Sequence, residues 1–198
     1  RGLGDVYKRQ FEQYVRDEAN VLSDKTEKAV SLYNANWDKM FGSIMAVVTT
    51  ESANDIENAA YDYAIEMQLA ENDAILVIAK QQQDYYLVAS GDFYDLLSGL
   101  SQSFVASCMA DNVQKGDYDA AVRSLCAALH VELSQQYQQS EAALEANRAL
   151  IGRDTYLMTL QNGSGHEEVL RRFTDDAHIV IGTTQHNSCL LYTSPSPR

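Results

Sequence analysis

Residues 74–89 read Ala74-Ile75-Leu76-Val77-Ile78-Ala79, then Lys80-Gln81-Gln82-Gln83-Asp84, then Tyr85-Tyr86-Leu87-Val88-Ala89. Each apolar run is unbroken and too short for a stable helix, so each reads as a strand covered on both faces. The polar stretch between them is a hairpin-like connection. Asn72-Asp73 forms the turn that leads in. Working outward, residues 43–50 (SIMAVVTT) are a third apolar, β-rich run. Between it and Asn72, the positions Ile56, Ala59, Ala60, Tyr63, Ala64 and Met67 keep one helical face, with Ser52 as the expected cap and Asp55 and Glu57 in the first turn.

Further upstream, residues 14–22 are extended and mixed. Ser23-Asp24 then caps a helix over 25–40, carried by Ala29, Leu32, Tyr33, Trp37 and Met40 and stopped by Gly42. Downstream, Gly91-Asp92 opens one helix running through Phe93, Leu96, Leu97, Leu100, Phe104 and Val105. Lys115-Gly116-Asp117 is a loop and cap for a helix over about 118–137. Helices alternating with three buried strands make an α/β layered domain.

Composition limits function. The chain has 198 residues, 45% of them hydrophobic, with 15 Lys and Arg against 28 Asp and Glu. A net charge of -13 argues against binding a phosphate backbone, which needs clustered cations, so no nucleic-acid partner is expected. No apolar run approaches the roughly 18 residues that a membrane-spanning helix requires. Cys108 and Cys126 read as two buried helical thiols rather than a disulfide framework, and the four histidines have no metal-ligand spacing with them. No Gly-x-Ser-x-Gly elbow is present. The Tyr-rich positions (Tyr61, Tyr63, Tyr85, Tyr86, Tyr94) read as a core edge rather than a base-stacking platform.

The termini share a hidden relationship. One DNA string encodes residues 1–10 (RGLGDVYKRQ), and its reverse complement, read one base out of phase, encodes CLLYTSPSPR, which is residues 189–198. Both decapeptides therefore read as translated sequencing adapter, outside the fold. Setting them aside leaves 11 cations and 27 anions over residues 11–188.

Residues 141–188 follow a different pattern. A helical stretch over 141–151 leads to a strand over 155–160 (TYLMTL) and the glycine loop Gln161-Asn162-Gly163-Ser164-Gly165. A short helix over 166–173 and a strand over 178–182 (HIVIG) complete a βαβ unit.

Two family resemblances rest on these landmarks. Residues 15–138 resemble the TPM domain, named for a thylakoid lumen protein, a photosystem II repair protein and a receptor-modulating protein. The matching stretches are Asp17-Glu18-Ala19-Asn20-Val21-Leu22-Ser23, Ala46-Val47-Val48-Thr49, Asp62-Tyr63-Ala64, Asn72-Asp73 before Leu76-Val77-Ile78, and Gly116-Asp117-Tyr118-Asp119-Ala120-Ala121. The chain departs from the family where Asp73 is followed by Ala74 instead of the usual Asn-Gly. The resemblance implies a three-layer α/β/α fold and, for bacterial members, an exported, membrane-associated protein whose anchor lies in parts of the parent absent here. It carries the acidic positions Asp17, Asp73, Asp117 and Asp119 over as a candidate metal site. Such hard oxygens suit Ca²⁺ or Mg²⁺, and the competing reading is that they cap helices or are solvated. An accessory, binding role in the cell envelope is expected. The resemblance implies an acid phosphatase activity for plant members, so metal-assisted acid phosphatase activity on these carboxylates is the alternative, and no catalytic residue is assigned.

Residues 140–188 resemble the nucleotide-binding domain of ketopantoate reductase (2-dehydropantoate 2-reductase), a cytoplasmic enzyme. The resemblance rests on residues 143–150 and 154–160, on Gln161-Asn162-Gly163, on Gly165-His166-Glu167-Glu168-Val169-Leu170 and on Ile181-Gly182-Thr183-Thr184-Gln185-His186. It implies a partial Rossmann βαβ unit with Asn162 at a cofactor-binding position. The opening strand and its Gly-x-Gly-x-x-Gly turn, which present backbone amides to the pyrophosphate, are missing, so NADPH is not expected to bind. The expected organisation is a TPM domain over 11–138 and a reductase fragment over 139–188, flanked by adapter at 1–10 and 189–198. The abrupt junction, placed between 135 and 141 inside one continuous helix, reads as a chimera.

Overall fold

A computed structural model of the chain describes residues 11–98, 100–101, 103–159, 170–181 and 190–193. After a single 3-10 turn at Glu12–Tyr14 come β1 (Val15–Asp17), α1 (Asp24–Phe41), β2 (Met45–Thr50), α2 (Ile56–Glu66), β3 (Ala74–Ala79) and β4 (Asp84–Ala89). They are followed by α3 (Gly91–Ser98), α4 (Phe104–Gln114), α5 (Tyr118–Ala146), β5 (Leu157–Thr159), β6 (Ile179–Ile181) and β7 (Leu190–Thr193). Strands β1, β2 and β3 are parallel neighbours, and β4 returns antiparallel to β3, with Ala74 opposite Ala89. The 74–89 stretch is thus the hairpin its sequence announces.

The α/β/α expectation holds. Alternate side chains of the strands split into two cores. One face gathers Met45, Val47, Leu76, Ile78, Tyr85 and Leu87 against α1, α3, α4 and α5. The other gathers Ala46, Val48, Ile75, Val77, Tyr86 and Val88 against α2 and Phe11. Burial on both faces explains why β2, β3 and β4 read as continuous apolar runs and not as alternating ones.

Helix ends follow local chemistry. The Ser23 hydroxyl accepts from the Thr26 N–H at the start of α1, and Gly42 closes that helix with φ 65°. Gly91 is forced by space as well as by its φ of 49°: a Cβ there would lie 2.6 Å from the Glu71 carbonyl oxygen.

Two expectations are corrected. Asp55, not Ser52, caps α2, its carboxylate accepting from the Asn58 N–H at 3.0 Å directly before the first apolar residue. The single helix expected from Gly91 through Val105 is two. Leu100 N–H turns back to the Leu97 carbonyl, and Ser98 donates its hydroxyl to the Asp95 carbonyl at 2.7 Å, the local competition by which serine ends helices. Residues 14–22, expected to be extended, contain the short strand β1. Strand β7, within the terminal decapeptide, pairs antiparallel with β4 and completes the order β1-β2-β3-β4-β7.

Strands β5 and β6 form a separate two-stranded parallel sheet, as the βαβ reading requires. Helix α5 runs unbroken from Tyr118 to Ala146 through the expected junction. No helix among the described residues is long and apolar enough to cross a membrane.

Candidate functional site

In an open sheet with parallel strands, loops at the carboxyl ends of those strands are the natural place for a site. Asp17 ends β1 there. Its two oxygens accept from the backbone N–H groups of Val21 at 3.1 Å and Leu22 at 2.8 Å, and the Thr49 hydroxyl of β2 donates to it as well. Asn20 takes a positive φ of 50° in the loop so held. The loop delivers Ser23 to the start of α1, and the Ser23 N–H donates to the Asp119 carboxylate at 2.9 Å.

Asp119 lies in the first turn of α5, which Asp117 caps by accepting from the Ala120 N–H at 2.9 Å. The Tyr118 hydroxyl beside them donates to the Lys80 carbonyl just after β3. Two helix N-termini therefore meet the carboxyl end of the sheet, and their first N–H groups are taken up by Ser23, Asp117 and Asp119, where the helix macrodipole favours carboxylates.

Asp17, Asp117 and Asp119 thus share one end of the sheet. Asp73 does not join them. It precedes β3, whose Ile78 is level with Asp17 across Thr49, so five residues, or roughly 17 Å of strand, separate the two ends. Its carboxylate accepts from Ile44 N–H at 3.0 Å and Ala70 N–H at 2.9 Å, bracing the turn into the strand.

Electrostatics divides these acids again. Burial pushes the Asp73 carboxyl up against the two backbone N–H groups that hold it down. At Asp119, burial is outweighed by hydrogen bonds from Ser23 and Thr26 and by the Arg123 charge, leaving the carboxyl below its ordinary value. Glu27, which the sequence reading passed over, sits one turn into α1. Its carboxyl is pushed up by burial and then by the charges of Asp17 and Asp24, with Lys28 opposing and Glu12 adding. Its signal was available in the sequence as an acid one turn after the Ser23 cap, but its proximity to Asp17 depends on how the loop folds back.

Among the described residues, no three Asp, Glu, His or Cys side chains are already placed to share one metal ion. Asn162 lies outside the described residues. Cys108 and Cys126 are free thiols, half-buried and buried respectively, and burial pushes the Cys126 thiol up to about 12, which makes it a core side chain rather than a nucleophile.

Residues 15–131 match the family model of the TPM domain. The chain belongs to the TPM domain family. A second family model, ketopantoate reductase PanE/ApbA, matches residues 134–192. The TPM match ends and the reductase match begins within α5, slightly earlier than the sequence placed the junction, and the second match extends into the terminal decapeptide. Among solved structures, the TPM domain resembles the N-terminal domain of a protein from P. gingivalis determined by solution NMR. The TM-score is 0.58 at 19% identity, covering 68% of this chain and 90% of that one. That likeness is one of fold. No curated protein matches the chain.

Proposed function

We propose that this TPM domain serves as an accessory binding module of a bacterial cell-envelope protein and takes a divalent cation, Ca²⁺ or Mg²⁺, at the rim of Asp17, Glu27, Asp117 and Asp119. Family membership supports the domain's role. The observation that carries the cation is the gathering of Asp17, Asp117 and Asp119 at one end of the sheet, joined through the Ser23 N–H on Asp119, beside Glu27, whose carboxyl is lifted by burial and then by the charges of Asp17 and Asp24 against the opposing Lys28. A hard cation relieves that repulsion, with waters and backbone carbonyls completing its oxygen shell. The reductase-like segment adds no reaction to this role, because the glycine-rich turn that would cradle a dinucleotide pyrophosphate is absent.

The pH dependence has a definite sign. A carboxyl whose folded-state value is raised is least costly when protonated. Glu27 therefore carries no penalty below its ordinary value of 4.5 and an increasing one as the pH rises through its higher folded value. Without metal, Glu27→Gln is expected to melt above the unaltered chain at pH 7, with the advantage gone below pH 4.5. With millimolar Ca²⁺, the unaltered chain is expected to gain melting temperature, and Glu27→Gln combined with Asp119→Asn to lose that gain. An absent shift, or an equal shift in the double variant, removes the cation from the proposal. Turnover of a generic phosphomonoester that disappears in the double variant would make the same rim catalytic.

A further inference from the structure

We infer that Thr49 is the positioning residue of the rim: its buried hydroxyl fixes the Asp17 carboxylate and the 18–22 loop, and through that loop the placing of Asp17 against Asp119. The hold on the loop stands on hydrogen-bond geometry, and its effect on metal binding rests on the cation reading above. Strand β2 is apolar from Met45 to Val48 and then carries Thr49, which is level with Asp17 of β1 and Ile78 of β3 and fully buried. Valine, already present at 47 and 48, has the same shape, so packing alone does not call for a hydroxyl. A hydroxyl taken out of water is costly unless it is paired.

Thr49 turns both of its oxygens to the chain that leaves β1. Its hydroxyl donates to Asp17 Oδ1 and accepts from the Ala19 N–H at 3.3 Å, the one donor and one acceptor role a hydroxyl can fill at once. Its carbonyl accepts from the Glu18 N–H at 3.0 Å. Ala19 is itself buried, so its N–H depends on this protein acceptor. On the other side of the same residue, Lys80 Nζ donates to the Ala19 carbonyl at 3.4 Å and to Glu51 at 2.7 Å.

The hold passes along the loop to the second acid. Asp17, fixed by Thr49, accepts from the Val21 and Leu22 N–H groups, and the next residue, Ser23, donates its N–H to Asp119 at 2.9 Å. One buried hydroxyl therefore orients one carboxylate of the rim and sets where the other docks. Outer partners that orient a metal-binding carboxylate cost about 10–100-fold in affinity when removed. A hydroxyl that only occupied an Asp17 lone pair would act with the opposite sign, because its removal frees that lone pair and leaves the charge unchanged.

The test compares two variants of the full chain: Thr49→Val, which keeps the shape and removes the hydroxyl, and Thr49→Ser, which keeps the hydroxyl. Without metal, the Ala19, Val21 and Leu22 amides of Thr49→Val should exchange about tenfold faster or more. The amides of Ala74–Ala79 should stay protected and report an intact sheet, and Thr49→Ser should exchange as the unaltered chain does. In calorimetric titration with Ca²⁺, Thr49→Val should lose about 10–100-fold in affinity, and Thr49→Ser should recover it. Unchanged exchange at Val21 and Leu22 in Thr49→Val would overturn the positioning role, and so would a Ca²⁺ affinity that holds or rises in that variant. An unaltered chain that takes up no Ca²⁺ would remove the cation reading but not the hold on Asp17, which the exchange comparison decides by itself.

Discussion

Trp37→Ala is expected to destabilise the domain by about 3–5 kcal/mol, measured as a lower urea midpoint by far-ultraviolet circular dichroism. Trp37 is fully buried on α1. It stacks on Tyr33 at a centroid distance of 5.6 Å and receives the edge of Phe93, from α3, at 5.9 Å. The indole therefore joins two of the helices that cover one face of the sheet. Its Nε1 has no hydrogen-bond partner, so the loss is one of packing and cavity, not of a polar contact. Trp37→Phe, which keeps most of the volume, should cost about 1–2 kcal/mol. Equal costs for the two variants would mean that the site collapses around either residue. Circular dichroism is the right probe because Trp37 is the only tryptophan.

The second large effect comes from a polar residue. Asn34 on α1 is fully buried and donates its amide Nδ2 to the Met45 carbonyl at 3.0 Å while its Oδ1 accepts from the Met45 N–H at 2.9 Å. The need for it lies in the sheet. Strand β1 begins at Val15, opposite Val47, so Met45 extends past the end of its neighbour, and the side chain of Asn34 takes the place of the missing strand. Asn34→Ala leaves two buried backbone groups unpaired, each costing about 1–3 kcal/mol, so a total of about 2–6 kcal/mol is expected by urea unfolding. Asn34→Asp keeps the acceptor but sets a carboxylate against the Met45 carbonyl. That variant should therefore be less stable at pH 7 than in acid, the order reversing if the amide donor contributes nothing.

These two residues also show what a sequence can and cannot disclose. Trp37 is legible, because it falls on the apolar stripe with Tyr33 and Met40, and a tryptophan there must be core. Asn34 is not, because its role exists only where β1 stops short. The hairpin of residues 74–89, the Ser23 cap and the Gly42 stop are local and could be read directly. The Gly91–Val105 stretch reads as one helix because its apolar spacing persists, while the Ser98 hydroxyl that ends α3 competes over a distance too short to disturb the pattern.

The candidate site divides in the same way. Asp17, Asp73, Asp117 and Asp119 are equivalent as turn-associated acids, and only strand register separates Asp73 from the other three. Glu27 enters because Asp17 folds the 18–22 loop back over the start of α1, a contact with no periodic signature. Strand β7 was unreadable for another reason: its residues belong to a decapeptide whose coding sets it apart, and backbone pairing at an open edge asks little of side-chain sequence.

The central claim is that the TPM domain has its own closed core, whereas the described residues of the segment that resembles ketopantoate reductase contribute to neither hydrophobic cluster. Neither hydrophobic cluster among the described residues extends beyond Leu133, whereas Leu150, Tyr156 and Met158 are exposed. Residue-resolved hydrogen exchange on the full chain tests this most directly. The amides of Met45–Thr50, Ala74–Ala79 and the first four turns of α5 should be the slowest to exchange, opening only with global unfolding, while those of Leu157–Thr159 and Ile179–Ile181 exchange through local opening. Equal protection of β5 and β6 with β2 and β3 would contradict the account, because it would require one cooperative core spanning both family matches.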